Sequence, residues 1–99
     1  MKTVTISDIL TLVSKEVCVP ITDIKKPSRS GDIILARQLS MWACRWNTKQ
    51  PMMLIAAEHG KKQHGTVINA CKSIENQALS NPRVRRLCEN IRTQIKIDI

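Results

Sequence analysis

Apolar residues recur at intervals of three and four along most of this chain, and this spacing constrains the fold more than any other feature. The first such series is Ile6, Ile9, Leu10, Val13 and Val17. An α-helix places residues of this spacing on one face, whereas a half-buried strand alternates apolar and polar residues, a pattern that appears nowhere in the sequence. The spacing therefore predicts helices at about residues 6–18, 32–47, 52–58, 64–78 and 82–96.

Capping and turn residues indicate where these helices begin and end. Thr5 and Asp8 have the spacing of a capping box at the start of the first helix. Pro51 suits the first turn of the short third helix, and Gly60 suits the left-handed position that follows it. A short helix, a glycine turn and a longer helix form a helix-turn-helix. We predict an all-α fold for a single domain over residues 1–99, a small helical bundle with a helix-turn-helix in its second half.

Composition limits the class of partner. Lys and Arg total 16 against 8 Asp and Glu, which gives a net charge of +8 and favours a polyanionic partner. The 42% of apolar residues is enough to build a core. Aromatic residues make up only 2% of the chain, which argues against the aromatic platforms that stack single-stranded nucleic acid. Among nucleic acids, double-stranded DNA is therefore favoured over RNA, while a membrane surface stays open as another polyanionic partner. A basic loop over residues 25–31 precedes the long second helix.

The cysteines and histidines do not predict a metal site, a cofactor or a catalytic centre. No Cys-x-x-Cys pair occurs, and the chain has only two histidines, His59 and His64. The four cysteines are Cys18, Cys44, Cys71 and Cys88. Buried free thiols are favoured over two disulfides, because three of these cysteines lie on predicted apolar helix faces. No apolar run is long enough to span a bilayer and no signal segment is evident, so a cytoplasmic protein is expected. DNA binding would make it nucleoid-associated.

The long second helix is expected to have a buried side and a basic side. The apolar stripe comprises Leu35, Leu39, Trp42, Ala43 and Trp46, so both tryptophans are predicted to lie in the core. A different face carries Arg37, Gln38, Met41 and Arg45.

Two segments of the sequence resemble a known family. Residues 34–41 read ILARQLSM, and residues 62–75 read KQHGTVINACKSIE. They are similar to the patterns V-x-A-R-Q-x-A-M and R-D-H-T-T-V-x-H-A-C-R-K-I-E in the C-terminal DNA-binding domain of the bacterial replication initiator DnaA. The likeness runs without gaps from about Thr5 to Asn76 and implies sequence-specific binding of double-stranded DNA.

The resemblance also implies which residues contact DNA. Arg29 of the basic loop would enter an A·T-rich minor groove. Arg37, Gln38 and Arg45 would contact phosphates, and residues 63–66 would face the major groove or the adjoining phosphates. The complete set of candidates is Arg29, Arg37, Gln38, Arg45, Lys61, Lys62, Gln63, His64, Gly65, Thr66 and Asn69.

The sequence departs from the family at positions that matter for reading DNA. Gln63 stands where DnaA has an aspartate, and Gly65 stands where it has a threonine. An aspartate accepts a hydrogen bond from cytosine, whereas a glutamine pairs with adenine, so the site should differ from the DnaA box TTATCCACA. Lys61 replaces the family's glycine, and with Lys62 it should raise non-specific affinity near the helix N-terminus.

These observations favour a small regulator of transcription, of the phage, mobile-element or gene-transfer-agent type, that acts by occupying DNA sites. RNA polymerase or another regulator is a possible protein partner. A replication modulator that competes with DnaA at origin sites, and a basic module that binds acidic proteins or membrane surfaces, are the alternatives. No Gly-x-x-x-x-Gly-Lys phosphate loop occurs, so neither nucleotide binding nor origin melting by this chain itself is expected.

Three assignments stay open at this point. His59 is expected to be partly buried, and His64 either caps a helix or contacts DNA. The cations of the last helix form either a solvated face or a further phosphate-binding surface. They are Arg83, Arg85, Arg86, Arg92 and Lys96.

Overall fold

Six α-helices account for most of the chain in the computed structural model, which describes residues 3–98, with the backbone alone for Asp98. The helices are α1 (Ile6–Val17), α2 (Ile21–Ile24), α3 (Gly31–Asn47), α4 (Met52–Glu58), α5 (Gly65–Ser80) and α6 (Pro82–Asp98). No strand occurs within residues 3–98, so the all-α fold is confirmed. The span 1–99 given to the single domain also includes Met1, Lys2 and Ile99, which lie outside the described residues.

Local chemistry explains where the helices begin. The capping box of α1 is present, because the Thr5 hydroxyl accepts from the Asp8 amide at 3.0 Å and the Asp8 carboxylate accepts from the Thr5 amide at 3.0 Å. The five predicted helices have bounds within two residues of those observed. The short helix α2 falls in a segment whose prolines and polar residues favour a turn, and its single helical turn was not anticipated.

The core is built from one face of each helix. Helix α3 packs mainly against α5 and α1, and α6 packs against the same two helices. Fully buried apolar side chains come from all six elements: Ile9, Val13, Ile24, Leu39, Ile55, Val67, Ile74 and Ile91. Within the described part of the chain, none of the helices combines the length and apolarity needed to cross a membrane.

The predicted division of α3 into two faces is wrong in part. Trp42 is buried as expected, but Trp46 is 59% exposed. Trp46 lies in the last turn of α3, and its indole ring is contacted by the Arg45 guanidinium at 5.1 Å from the ring centroid. Helical spacing identifies a face but does not say where along the helix its neighbours end. Met41 and Arg37, assigned to the basic side, are buried: α5 packs against α3, and the Arg37 guanidinium donates to the carbonyls of Ile24 and Lys26.

The expected buried thiols are found in the structure. Cys44, Cys71 and Cys88 are buried, Cys18 is exposed, and all four are free. Burial raises the pKa of the Cys44 thiol to about 12 and also raises the pKa values of Cys71 and Cys88. The thiolate form, which reacts, is therefore disfavoured at the three core positions.

Candidate nucleic-acid interface

The helix-turn-helix is formed by α4, a turn centred on Gly60, and α5. Gly60 adopts φ +75°, the left-handed conformation in which residues with a side chain are strained. A Cβ atom placed on Gly60 would lie 2.4 Å from the carbonyl oxygen of Lys25, at the end of α2. The turn therefore requires glycine for two reasons, and it lies directly against the start of the basic loop.

A buried histidine fixes the end of α4. His59 is completely buried, which exceeds the partial burial predicted from the sequence. Its Nδ1 donates to the carbonyl oxygen of Ile55 at 2.7 Å, so Nε2 of the neutral ring accepts from the hydroxyl of Ser40 at 2.7 Å. Desolvation lowers the pKa of His59, and the charges of Lys25 and Arg37 lower it further. The turn is thereby held on α3.

An open cleft of about 250 Å³ separates α3 from the first half of α5. Its lining consists of Ile34, Arg37, Gln38, Met41, Lys61, Thr66, Asn69 and Ala70. Five of these residues belong to the predicted DNA-binding set, although they come from three separate parts of the chain. The cleft therefore combines two cationic side chains with amide and hydroxyl groups next to the N-terminus of α5, where the helix dipole favours an anion.

Arg37 contributes to this cleft but is mainly held by the protein itself. Its side chain is only 6% exposed. Nε donates to the carbonyl oxygen of Ile24 at 2.8 Å, and a terminal nitrogen donates to the carbonyl oxygen of Lys26. Burial lowers the pKa of the guanidinium, although arginine keeps its charge at neutral pH. The structure thus gives Arg37 an intramolecular role, and its phosphate contact stays a prediction.

Gln38 is oriented by two side chains of α5. Its amide oxygen accepts from the hydroxyl of Ser73 at 3.1 Å and from the amide nitrogen of Gln77 at 3.4 Å, while that nitrogen also donates to Ser73 at 2.9 Å. Within residues 3–98 no acceptor is recorded for the amide nitrogen of Gln38, which stays available as a donor. Ser73 and Gln77 were missed by the sequence reasoning, although their spacing of four residues places them on one helix face.

The start of α5 presents its side chains to solvent. Lys62, Gln63 and His64 are exposed, and Gly65 and Thr66 are half-buried. His64 is the N-cap residue of α5, but its side chain makes no capping hydrogen bond. The alternative of a histidine that caps the helix through its ring is therefore not what the structure shows. These residues lie where a major-groove reader is expected.

The remaining candidates lie apart from the cleft. Arg29 is exposed in the loop between α2 and α3, and Arg45 contacts the Trp46 ring near the far end of α3. Within the described residues, no group of three His, Cys, Asp or Glu side chains could hold a metal ion.

Three of the cations on α6 make contacts within the protein. Arg85 donates to the carbonyl oxygens of Ala78 and Leu79 at 3.1 and 3.2 Å and so caps the end of α5. The guanidinium of Arg92 lies 5.1 Å from the centroid of the Trp42 ring. Arg83 is 3.7 Å from the carboxylate of Asp32, in an exposed ion pair. These contacts give Arg85 and Arg92 roles in the fold, which weakens the case for a second phosphate-binding surface.

Comparison with known proteins agrees with this geometry. A family model described as "Bacterial dnaA protein helix-turn-helix" matches residues 6–74. The chain is 34% identical over 95 residues to a chromosomal replication initiator protein DnaA of Bacteroides fragilis, covering 96% of this chain and 20% of that protein. It is 33% identical over 96 residues to the DnaA of Streptococcus uberis, covering 97% and 21%. The chain thus spans about a fifth of the length of these relatives.

Proposed function

Because this chain belongs to the family of bacterial DnaA helix-turn-helix domains, we infer that it binds specific sites in double-stranded DNA, and we propose that it regulates transcription by occupying them. The domain of this family binds double-stranded DNA in a sequence-specific manner. The observation that carries the DNA-binding part of the proposal is the cleft between α3 and α5, which brings Arg37, Gln38, Lys61, Thr66 and Asn69 together beside the exposed start of α5.

In the proposed mode of binding, three surfaces of the protein contact three different parts of the DNA. Gln63 and its neighbours at the start of α5 enter the major groove and read base edges. The cleft receives a phosphate strand, to which Gln38 and Lys61 supply donors and charge. Arg29, at the exposed loop, enters the adjacent minor groove. We assign no catalytic step to any of these residues.

The argument for a role in transcription is that the protein should bind a DNA site that differs from the DnaA box. Gln63 and Gly65 replace the aspartate and threonine of the family pattern at two positions that are proposed to face the major groove. A glutamine favours adenine where an aspartate favours cytosine, and glycine removes a methyl and a hydroxyl group from the groove. A protein with these changes would bind at other places in a genome. It would act there by occupying its site, alone or with a partner such as RNA polymerase or another regulator.

The second candidate function is a replication modulator that occupies initiator sites. It is favoured by the names of the relatives, which are chromosomal replication initiator proteins. This function requires that the DnaA box be bound despite the substitutions at Gln63 and Gly65. The two candidates therefore differ in the DNA sequence that the protein selects.

Selection of binding sites from a random pool of duplexes at about 150 mM salt separates the two functions. The matched control is the double variant Gln63→Asp, Gly65→Thr, which restores the family's residues; a Cβ at Gly65 meets nothing within 4 Å, so the fold accommodates the threonine. We expect the wild-type protein to enrich a motif other than TTATCCACA and the double variant to shift towards it. Enrichment of the DnaA box by the wild type would favour the replication modulator.

The salt dependence of binding tests the proposal against a basic protein-interaction module. A DNA binder should show a log-log slope near −0.9 per neutralised phosphate, together with a sequence-dependent remainder at high salt. If all duplexes bind alike, or if none binds, sequence-specific regulation is wrong.

A further inference from the structure

The geometry points to Arg37 as the positioning residue that sets the minor-groove arginine in register with the recognition helix. Three successive carbonyl groups at the start of the basic loop are held by the rest of the protein. The guanidinium of Arg37 donates to the carbonyls of Ile24 and Lys26. The carbonyl of Lys25, between them, lies against the backbone of Gly60. We call this arrangement the loop clamp.

The burial of these groups explains why position 37 of the loop clamp requires an arginine. Ile24 is completely buried and is the last residue of α2, so its carbonyl has no partner within that helix. Arg37 is itself 6% exposed. Its planar fork of donors reaches two carbonyls at once from a fixed position on α3. A lysine keeps the charge but has no such fork, and a buried unpaired carbonyl would result.

The loop clamp connects directly to the helix-turn-helix. Gly60 is the left-handed residue of the turn that leads into α5. Two residues before it, Glu58 lies 3.9 Å from the ammonium group of Lys25 in an exposed ion pair. The intervening His59 is bonded to Ser40, one turn from Arg37 on α3. A shift of the loop start would therefore disturb the turn before α5, and the reverse also holds.

Only a short stretch of chain separates the loop clamp from Arg29. Three residue steps from Lys26 reach at most about 10 Å, and Pro27 restricts the backbone within them. The far side of the loop is fixed as well, since the carbonyl of Ser30 accepts the amide of Ile34 at 3.0 Å where α3 begins. Arg29 is thus presented from a stretch of chain that is fastened at both ends. The step from this geometry to DNA reading rests on the proposed function.

Hydrogen exchange of the free protein tests the clamp without DNA. The amides of Lys25 and Lys26 donate to the carbonyls of Ile21 and Asp23. In Arg37→Lys and in Arg37→Met we expect these amides to exchange roughly tenfold faster or more, after correction for global stability. Arg86→Lys is the matched control, because Arg86 is exposed on α6 and lies outside both the loop clamp and the proposed DNA-binding set, and it should exchange as the wild type does. Arg37→Met fills the buried space without a charge and covers the case in which the lysine variant does not fold. Unchanged exchange in the folded variants would overturn the clamp.

The second readout is minor-groove selectivity on duplexes that carry the motif selected by the wild type. Inosine·C and G·C pairs in the A·T-rich flank have the same major groove and differ by the 2-amino group in the minor groove. We expect the wild type and Arg86→Lys to prefer the inosine duplex, and both Arg37 variants to lose that preference.

A lysine variant that retains the wild-type preference would show that Arg37 acts through its charge on phosphate, contrary to the inference. If the wild type binds all duplexes alike, the proposed function fails, while hydrogen exchange still decides the loop clamp.

Discussion

The hydroxyl of Ser40 donates a 2.7 Å hydrogen bond to Nε2 of His59, and both side chains are fully buried between α3 and α4. Protonation would make Nε2 a donor, so the hydroxyl would have to accept instead, and it would place a positive charge in a buried site where the charges of Lys25 and Arg37 oppose it. The other ring nitrogen is committed to the carbonyl of Ile55. The packing of the helix-turn-helix on α3 thus depends on the protonation state of one imidazole.

We therefore expect the protein to lose stability in mild acid. Desolvation holds the pKa of folded His59 below the value of about 6.5 in the unfolded chain, so the unfolded state binds more protons in this range. The stabilisation is fully present well above about pH 6.5 and declines as the pH falls below it, so the free energy of unfolding should be smaller at about pH 5.5 than at about pH 7.5.

Denaturant unfolding at about pH 7.5 and at about pH 5.5 measures this loss of stability. His59→Gln should lower the stability at both pH values and abolish this part of the pH dependence, whereas His64→Gln, at an exposed position, should retain it. An equal pH dependence in the His59 variant would show that other groups are responsible.

Replacement of Gly60 should be among the most damaging single changes in the chain. In Gly60→Ala the backbone is forced to hold φ +75° with a side chain, and the new Cβ would lie 2.4 Å from the carbonyl oxygen of Lys25. The conformational strain alone costs about 1–2 kcal/mol, and the steric contact adds to it. Thermal or denaturant unfolding measures the loss. Gly31→Ala is the control, because a Cβ there meets nothing within 4 Å, and it should be neutral or slightly stabilising.

The two tryptophans should differ sharply in their contribution to stability. Trp42→Ala removes a buried ring and its contact with Arg92, and we expect a loss of about 3–5 kcal/mol. Trp46→Ala removes a ring that is 59% exposed and should change the free energy of unfolding by about 0.5 kcal/mol or less. Iodide should quench the fluorescence of Trp46 far more than that of Trp42. Equal losses from the two variants would contradict the assigned burial.

Arg29→Ala should weaken binding only where the flank is rich in A·T pairs. A narrow A·T-rich minor groove concentrates negative potential, and the exposed loop arginine is the side chain proposed to enter it. Competition between two duplexes that share the selected motif and differ in flank composition measures the effect. A loss of the same size on both duplexes would make Arg29 a phosphate contact, and no loss on either would remove it from the interface.

Gln63→Ala should lower the affinity for the selected site by about 1–3 kcal/mol and relax base preference at one position. The reason is that Gln63 is exposed at the start of α5 and is proposed to pair with a base edge. Lys61→Ala is the contrasting variant, since loss of a charge should weaken all sequences alike. Measured affinities on single-base variants of the site distinguish these patterns. A uniform loss from Gln63→Ala would show that it does not read bases.

The helices were predictable from sequence because their signals are local. Thr5 with Asp8, the apolar series of α1, and Gly60 between two helical segments each depend on a few adjacent residues. The helix-turn-helix follows from their order. The candidate cleft was predictable only through the family resemblance, which grouped residues such as Arg37 and Thr66 before their proximity was seen.

What could not be predicted depends on long-range packing. Arg37 has the sequence signature of a solvated basic face, but its hydrogen bonds are made to carbonyls 11 and 13 residues earlier in the chain. Trp46 shares the helical phase of buried Trp42 and differs only in where along α3 the covering helices end. Neither property is encoded in the residues that surround these positions in the sequence.

The burial of three cysteines gives the protein a natural single attachment point. Among residues 3–98, Cys18 alone presents an exposed thiol, at the end of α1 and outside the lining of the cleft. The other three thiols are buried and have raised pKa values. A fluorophore or a surface tether attached through maleimide chemistry would therefore go to one position of the unaltered sequence, and DNA occupancy could be followed molecule by molecule without redesigning the chain.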